Sequence, residues 1–440
     1  MHRPTLKRRL GIVSVSAALV AAALGPLAPA SAAAPPKSGI VCTQDLASST
    51  PSFHLWATGG YVSIPDGNTI YMWSYTAKNA SAFQLPGPTI CVKQGDHVSI
   101  MLTNALNLEP APTVAEDVSI VFQGQTGVLA GGAPAAPQYD GPDLVSLIQS
   151  AAPGDSITYE FDASEPGTYI YESGTDPTKQ VQMGLFGALV VRPATGLDYA
   201  YNDAATRFKA GKEFVMLLSE VDPDLHQAVE RGEAYDAAAY HPRYWMINGR
   251  SFPDTIAPNG AAWLPSQPYS SLVHVNPYDA TGNPRPALFR YLNVGSLNHP
   301  FHPHGNHGRI IGRDGRLLKG TGGEDLSYEK FTVLVGAGQT WDATFKFTDR
   351  ELWDPNTNPI PVPLPQLQNL VFKDDATWYS GSPYLGYQDE LPTGVTSYNR
   401  CGEFYHVAHS HALNEAANFD AGFGGMLTLM RIDPPTPNAC

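Results

Sequence analysis

The chain has 440 residues, a formal net charge of −14 and only 15% charged residues. An acidic surface repels nucleic acid and anionic membranes, so neither is expected as a partner. The sequence contains 41 glycines, 39 prolines and 21 tyrosines, and few of its stretches have helical periodicity. This composition predicts an all-β protein.

The first 32 residues have the order of a secretory signal peptide. A basic run at residues 3–9 precedes an apolar stretch at 10–24, and the small residues ASA follow at 30–32. The apolar stretch is shorter than the roughly 20 residues of a membrane span, which disfavours an anchor. The arginine pair at positions 8 and 9 leaves both the general and the twin-arginine export routes open. We therefore expect a secreted, extracellular protein.

The remaining chain is long enough for two or three domains. Short strands broken by turn residues predict a β-sandwich at residues 40–195, and a second one at 210–440 that opens with a short helix at 225–235. A polar linker is predicted around residues 193–212. An insertion at about 350–404, rich in proline and aromatic residues, is predicted to form a lid over a functional site.

The four cysteines are Cys42, Cys91, Cys401 and Cys440. An even number of cysteines in an exported chain predicts disulfides rather than free thiols. Proximity along the chain favours the pairs Cys42–Cys91 and Cys401–Cys440. A bridge from Cys42 to Cys440 is the alternative that the sequence leaves open.

Seven of the 13 histidines lie in two clusters, HPFHPHGNHG at 299–308 and HVAHSH at 406–411. Imidazole is the commonest neutral side-chain ligand of transition metals. Because alternate residues of a strand share a face, His302 and His304 can point together, as can His409 and His411. Two strands that carry such pairs could form one site with four nitrogen ligands.

These motifs resemble those of the multicopper oxidases. The C-terminal domain of that family carries H-P-x-H-x-H-G and then H-C-H, and this chain has HPFHPHG at 299–305 and HSH at 409–411. In the first domain, residues 85–105 and 167–191 resemble the opening strands and the closing segment of the family. The resemblance implies two cupredoxin-like Greek-key sandwiches, as in two-domain laccases and copper nitrite reductases. It also implies a homotrimer with sites between subunits.

The same resemblance shows which copper ligands are replaced. The family's H-W-H-G is VFQG at 121–124 in this chain, and its H-S-H is ESG at 172–174. Ser410 stands in place of the cysteine whose thiolate a blue-copper site requires. The resemblance therefore implies that His299 has lost its copper-site partners and that the three-copper cluster is incomplete. Laccase chemistry is not expected.

What the resemblance leaves is a mononuclear site at His302, His304, His409 and His411, with Glu172 as a possible added ligand. Copper is the first choice of metal, and zinc, iron and manganese are the alternatives. Three functions stay open: a secreted oxidoreductase acting on a small molecule, an extracellular copper-binding or storage module, and a metal-free cupredoxin scaffold. Imidazoles expected to face inward disfavour the scaffold, because burying them without partners is costly. The predicted lid favours an enclosed substrate site.

Overall fold

Strands dominate the described residues of the computed structural model. These are residues 37–43, 48–107, 116–276, 286–347, 404–419 and 424–433, with the strand backbones at 370–371 and 377–378. The all-β, cupredoxin-like expectation is confirmed. The predicted signal peptide, Cys401, Cys440 and most of the predicted insertion lie outside the described residues.

The first sandwich combines a six-stranded and a four-stranded sheet. In chain order its elements are β1 (Ser52–Ser63), β2 (Thr69–Thr76), β3 (Ile90–Lys93), β4 (His97–Asn104), β5 (Val121–Phe122), β6 (Leu129–Ala130), β7 (Ala133–Pro134), β8 (Gln138–Asp140), β9 (Asp143–Ser146), β10 (Ser156–Asp162), β11 (Gly167–Glu172), α1 (Pro177–Met183) and β12 (Phe186–Arg192). The sheet orders are β2-β1-β4-β10-β6-β7 and β3-β12-β11-β5, and β8 and β9 form a separate hairpin.

The second sandwich combines a seven-stranded and a five-stranded sheet. Its elements are β13 (Glu213–Val221), α2 (Pro223–Arg231), β14 (Tyr244–Ile247), β15 (Val273–Val275), β16 (Ala287–Asn293), β17 (His299–Pro303), β18 (Gly308–Arg313), β19 (Arg316–Leu317), β20 (Tyr328–Lys330), β21 (Val333–Val335), β22 (Thr340–Phe345), β23 (Leu370–Val371), β24 (Thr377–Trp378), β25 (Phe404–Ser410) and β26 (Leu427–Ile432). The sheet orders are β14-β13-β16-β22-β18-β19, with β20 on β18, and β15-β26-β25-β17-β21. Strands β23 and β24 pair with each other.

Short 3₁₀ turns connect some of these strands, at Ala204–Thr206, Ala237–Ala239, Asp254–Ile256 and Leu413–Ala416. The helix expected at 225–235 forms at Pro223–Arg231, so it begins two residues earlier and ends four residues earlier. Its start is fixed by Asp222, whose side chain accepts a hydrogen bond from the N–H of Asp224, and it ends at Gly232, which has a φ of 67°. Within the described residues, no helix is long and apolar enough to cross a membrane.

Burial patterns explain where each strand lies. In β4 (HVSIMLTN) buried and more exposed residues alternate, as expected for a strand with one face on a core. All nine residues of β13 (EFVMLLSEV) are buried, because one face of this strand packs in the second sandwich and the other packs on the first. The apolar cluster between the sandwiches includes Met72, Phe186, Leu217 and Met246. The two sandwiches therefore share buried surface, while the predicted domain boundaries themselves stay a prediction.

One predicted disulfide is confirmed. Cys42 is bonded to Cys91, which joins the segment before β1 to strand β3. The alternative bridge from Cys42 to Cys440 is thereby wrong. The pair Cys401–Cys440 lies outside the described residues and stays a prediction.

Candidate metal centre

The structure brings the four predicted histidines onto one face of an antiparallel strand pair. In the β17–β25 ladder, His302 lies directly opposite His409. His304 follows β17 and donates its backbone N–H to Val407 at 3.0 Å, while the N–H of His411 reaches the carbonyl of Pro300 at 2.7 Å. Each i, i+2 pair keeps its two rings on the same side, as the period of a strand requires.

The rings are as close as ligands of one ion. The ring centroids of His302 and His304 are 4.7 Å apart, those of His302 and His411 5.2 Å, and those of His304 and His409 5.2 Å. The Nε2 atoms of His304 and His409 are 3.2 Å apart. Two imidazole nitrogens bound to a tetrahedral ion at 2.0–2.1 Å would be separated by about 3.3 Å. The spacing of this one pair therefore fits a first-row transition metal.

Backbone carbonyls orient two of the rings. The Nδ1 of His302 lies 2.7 Å from the carbonyl oxygen of Phe331 and 3.0 Å from the hydroxyl of Thr332. The Nδ1 of His409 lies 2.7 Å from the carbonyl oxygen of Ser410. An Nδ1–H that donates to a carbonyl fixes the tautomer and leaves the Nε2 lone pair for a metal. Both rings are therefore in a metal-binding tautomer.

The imidazole face points away from the core of the second sandwich, so the expectation of inward-facing rings is wrong. Phe301, Ala408 and Ser410 alternate with the histidines and are buried. The rings of His302, His304 and His409 are half-buried, and His411 is exposed. Alternate residues of a strand face opposite sides. Because Phe301, Ala408 and Ser410 face the core, the histidines between them face away from it. The desolvation argument against a metal-free scaffold therefore loses its force.

Burial and neighbouring charges keep the rings of His304 and His409 neutral. Burial, which is the largest cause, and the neighbouring histidines together lower the pKa of His304 to about 4. Burial also lowers the pKa of His409. A neutral imidazole binds a metal without first losing a proton. Even so, within the described part of the chain no group of three or more His, Cys, Asp or Glu side chains is arranged to hold a metal ion, so metal binding stays a prediction.

Glu172 lies at the end of β11 in the first sandwich, where Gln123 donates a hydrogen bond to its Oε1 at 2.5 Å. Burial raises the pKa of this carboxyl, and the bond from Gln123 opposes the rise. Among the described residues of one chain, no hydrogen bond or ion pair joins Glu172 to the four histidines. Its role as a ligand stays a prediction.

His299 lies in a buried charge network. The ring is fully buried, with Nδ1 2.9 Å from Oε2 of Glu415 and Nε2 3.0 Å from Oε2 of Glu220. Ser410 donates to the same oxygen of Glu415 at 2.5 Å. The two carboxylates at His299 are partners that the sequence did not predict, and the loss of copper-site partners at this residue stays a prediction.

Burial alone would lower the pKa of His299. The hydrogen bonds and charges of Glu220 and Glu415 outweigh burial and raise that pKa to about 9, so the ring is an imidazolium at neutral pH. Tyr240 and the backbone N–H groups of Ser296 and Leu297 donate to the other oxygen of Glu220. One feature of the sequence indicates this network: Glu220 lies within the otherwise largely apolar sequence of β13.

Comparisons with known proteins agree with this fold. The family described as "Multicopper oxidase" matches residues 74–196. A copper-containing nitrite reductase of Neisseria meningitidis is 27% identical over 43% of this chain and 40% of its own length. An L-ascorbate oxidase of Cucumis sativus is 32% identical over 38% of this chain and 25% of its own. The chain thus spans two fifths or less of the length of these relatives.

Solved structures support the same fold at low identity. The blue copper oxidase of Nitrosomonas europaea superposes with a TM-score of 0.54, 18% identity, and coverage of 86% of this chain and 85% of that one. The multicopper oxidase mgLAC gives a TM-score of 0.54, 18% identity and coverage of 88% of both chains. At this identity the likeness concerns the arrangement of strands alone.

Proposed function

Because residues 74–196 match the multicopper oxidase family, we propose that this protein is a secreted oxidoreductase with one mononuclear copper centre. The observation that carries the proposal is the spacing of four imidazoles on the β17–β25 face, with two Nε2 atoms 3.2 Å apart. Imidazole ligands favour copper over the other first-row divalent metals. Bound copper would supply one-electron redox chemistry toward a small-molecule substrate.

The protein's own residues divide the work at this centre. His304 and His409 offer neutral nitrogens, and the carbonyls of Phe331 and Ser410 hold the rings of His302 and His409 in place. The disulfide between Cys42 and Cys91 supports an oxidising compartment. Laccase activity is not proposed, because Ser410 cannot supply a thiolate and residues 121–124 and 172–174 lack the family's histidines.

We also propose that a neighbouring copy completes the site, which makes the functional unit an oligomer, a homotrimer by family resemblance. The histidine face is bordered by exposed apolar side chains, Phe331 at 60% and Leu413 at 66%. Beside Glu172, the backbone N–H of Leu147 donates a hydrogen bond to the carbonyl of Gly174. The side chain of Leu147 is 48% exposed. These two partly exposed apolar faces are not in contact with each other among the described residues of one chain. They are therefore suited to form a contact between two chains.

Metal analysis and paramagnetic resonance of the purified protein test the centre. We expect one copper per chain and a spectrum of nitrogen-ligated Cu(II) without the features of a thiolate ligand. Replacing both His304 and His411 by alanine should remove the metal, whereas His274→Ala, a histidine paired with Asp433 elsewhere in the second sandwich, should retain it. A full equivalent of metal in the double variant would place the site elsewhere, at His307 and His406 for example, and would contradict the assignment.

Light scattering of the metal-loaded protein tests the oligomer, with Leu147→Glu as the interface variant and Leu197→Glu as an exposed control on another surface. A mass three times that of one chain, lost only in Leu147→Glu, supports completion by a partner. If a chelator removes the bound copper rapidly and the protein oxidises no candidate reductant, a storage module is favoured instead. A monomer that binds copper tightly would contradict the proposed oligomer but would agree with the proposed mononuclear centre.

A further inference from the structure

A cleft lies at the edge of the second sandwich, beside the end of strand β21 that is farther from His302. Its volume is about 350 Å³, within the range of small-molecule sites. Polar and aromatic side chains from four chain segments line it: Asn298, Arg313, Tyr328, Lys330, Gln339 and Trp341. We propose that this cleft binds a small aromatic carboxylate.

The cleft is cationic although the whole chain carries a net charge of −14. It is lined by Arg313 and Lys330 and by no carboxylate. In β20 the strand period sends Tyr328 and Lys330 to the cleft and Glu329 to the opposite side, where it lies across from Arg309. Among the described residues, Lys330 makes no ion pair. The charge of the lining therefore favours an anion.

The two amide side chains also present donors. The Oδ1 of Asn298 accepts the N–H of Ala337 at 3.3 Å. The Oε1 of Gln339 accepts the N–H of Gly336 at 3.1 Å and the indole N–H of Trp341 at 3.2 Å. Because backbone and indole N–H groups can only donate, these contacts fix both amide oxygens and turn both NH₂ groups outward. Ammonium, guanidinium and two amides together form a lining of donors that suits a carboxylate.

Aromatic surface defines the rest of the ligand. The guanidinium of Arg313 lies 4.7 Å from the ring centre of Trp341, its cross-strand partner, so the cation and the indole are held together. The Nε of Arg313 lies 3.2 Å from Oδ2 of Asp314. Tyr328 is 39% exposed and Leu334 is 55% exposed at the rim. A flat one-ring or two-ring anion would cover these apolar surfaces and meet the donors at one end.

The cleft is close to the histidine face but does not depend on it. Leu334 lines the cleft, and Phe331, three residues earlier, accepts the bond from His302. Three residues of extended chain span roughly 10 Å. A ligand in the cleft would therefore sit near the proposed metal centre, while its binding holds with or without metal.

Calorimetric titration of the full-length, metal-free chain tests the site. The probe is 2-naphthoate, compared with the neutral 2-naphthamide and with inorganic phosphate. We expect naphthoate to bind at least roughly tenfold more tightly than either, as charge-assisted hydrogen bonds and ring contacts both require. Lys330→Gln and Arg313→Gln should each weaken naphthoate binding several-fold, and the exposed Lys78→Gln in the first sandwich should leave it unchanged.

Three results would overturn the proposal. Equal affinity for 2-naphthoate and 2-naphthamide would show that the cleft does not recognise the charge. Phosphate binding as tight as that of 2-naphthoate would show that the cleft does not recognise the aromatic ring. Unchanged affinity in Lys330→Gln and Arg313→Gln would place the ligand elsewhere. Because these two residues are exposed, their variants should fold normally, which an unchanged melting temperature would verify.

Discussion

At His299 one imidazole lies between two carboxylates, and all three side chains are buried. At neutral pH the ring is an imidazolium, and its positive charge balances the carboxylates. Because this charge depends on a bound proton, the stability of the fold depends on pH.

We predict that the metal-free protein loses stability between pH 6.5 and pH 9. The pKa of His299 rises from 6.5 to about 9 on folding, so the folded state favours the protonated ring. That contribution is fully present below pH 6.5 and disappears as the pH rises through 9. Thermal unfolding at steps of pH measures it. In His299→Gln the same pH dependence should be absent, and an unchanged profile in the variant would contradict the assignment.

Replacing Ser410 by cysteine should not produce a blue protein. A thiolate needs two histidine partners, and here Glu415 stands beside residue 410 while Glu220 holds the far nitrogen of His299. The visible spectrum of copper-loaded Ser410→Cys is the measurement, with the triple variant Ser410→Cys, Glu415→His, Glu220→Leu as the comparison. An intense charge-transfer band in the single variant would show that the carboxylates yield to copper.

At the scale of elements, the pairing of β17 with β25 decides the geometry of the proposed metal centre. The register places His302 opposite His409, and a slip of one residue in either strand would turn the two imidazoles of that strand into the core. The register is held from the core side, where Phe301 and Ser410 pair and are buried. The histidines therefore depend on their buried neighbours for their position.

The disulfide acts at the same scale, because it ties an N-terminal segment to β3. Replacing Cys42 and Cys91 together by serine should lower the free energy of unfolding by roughly 2–4 kcal/mol, since the bond closes a loop of 49 residues in the unfolded chain. Denaturant unfolding measures the loss. Thiol titration of the denatured wild type should detect neither cysteine, and reactive thiols at these positions would contradict the bond.

At the scale of the whole molecule, a buried ion network joins the two sandwiches. Glu213 of β13 accepts from Arg192 of β12 at 2.6 Å and from Arg290 of β16 at 2.5 Å. Burial raises the pKa of Glu213, but the two arginines outweigh it and lower that pKa overall. Thr168 of β11 extends the network to Asp342. The strands of both sandwiches are therefore held in one arrangement by shared charges and shared apolar surface.

We predict that Glu213→Gln lowers the free energy of unfolding by roughly 3–5 kcal/mol, because two buried arginines lose the carboxylate that they share. Denaturant unfolding provides the value. The matched control is Asp325→Asn, which removes an exposed ion pair with Arg309 and should change stability little. Similar effects in both variants would show that burial of the network is unimportant.

The sequence by itself determined the strand-rich fold, the use of cysteines in disulfides and the shared face within each histidine pair. Each of these follows from local pattern: turn residues between short strands, an even cysteine count, and imidazoles at i and i+2. The tertiary structure decided that Cys42 bonds to Cys91 and that the two histidine-bearing strands pair. The tertiary structure decided which face the imidazoles take, because that depends on which alternate positions the core accepts. It also decided the partners of His299, since Glu220 lies 79 residues and Glu415 116 residues away along the chain. Long-range contacts of this kind leave no periodic signal in a single sequence, and only folding brings the carboxylates to the ring.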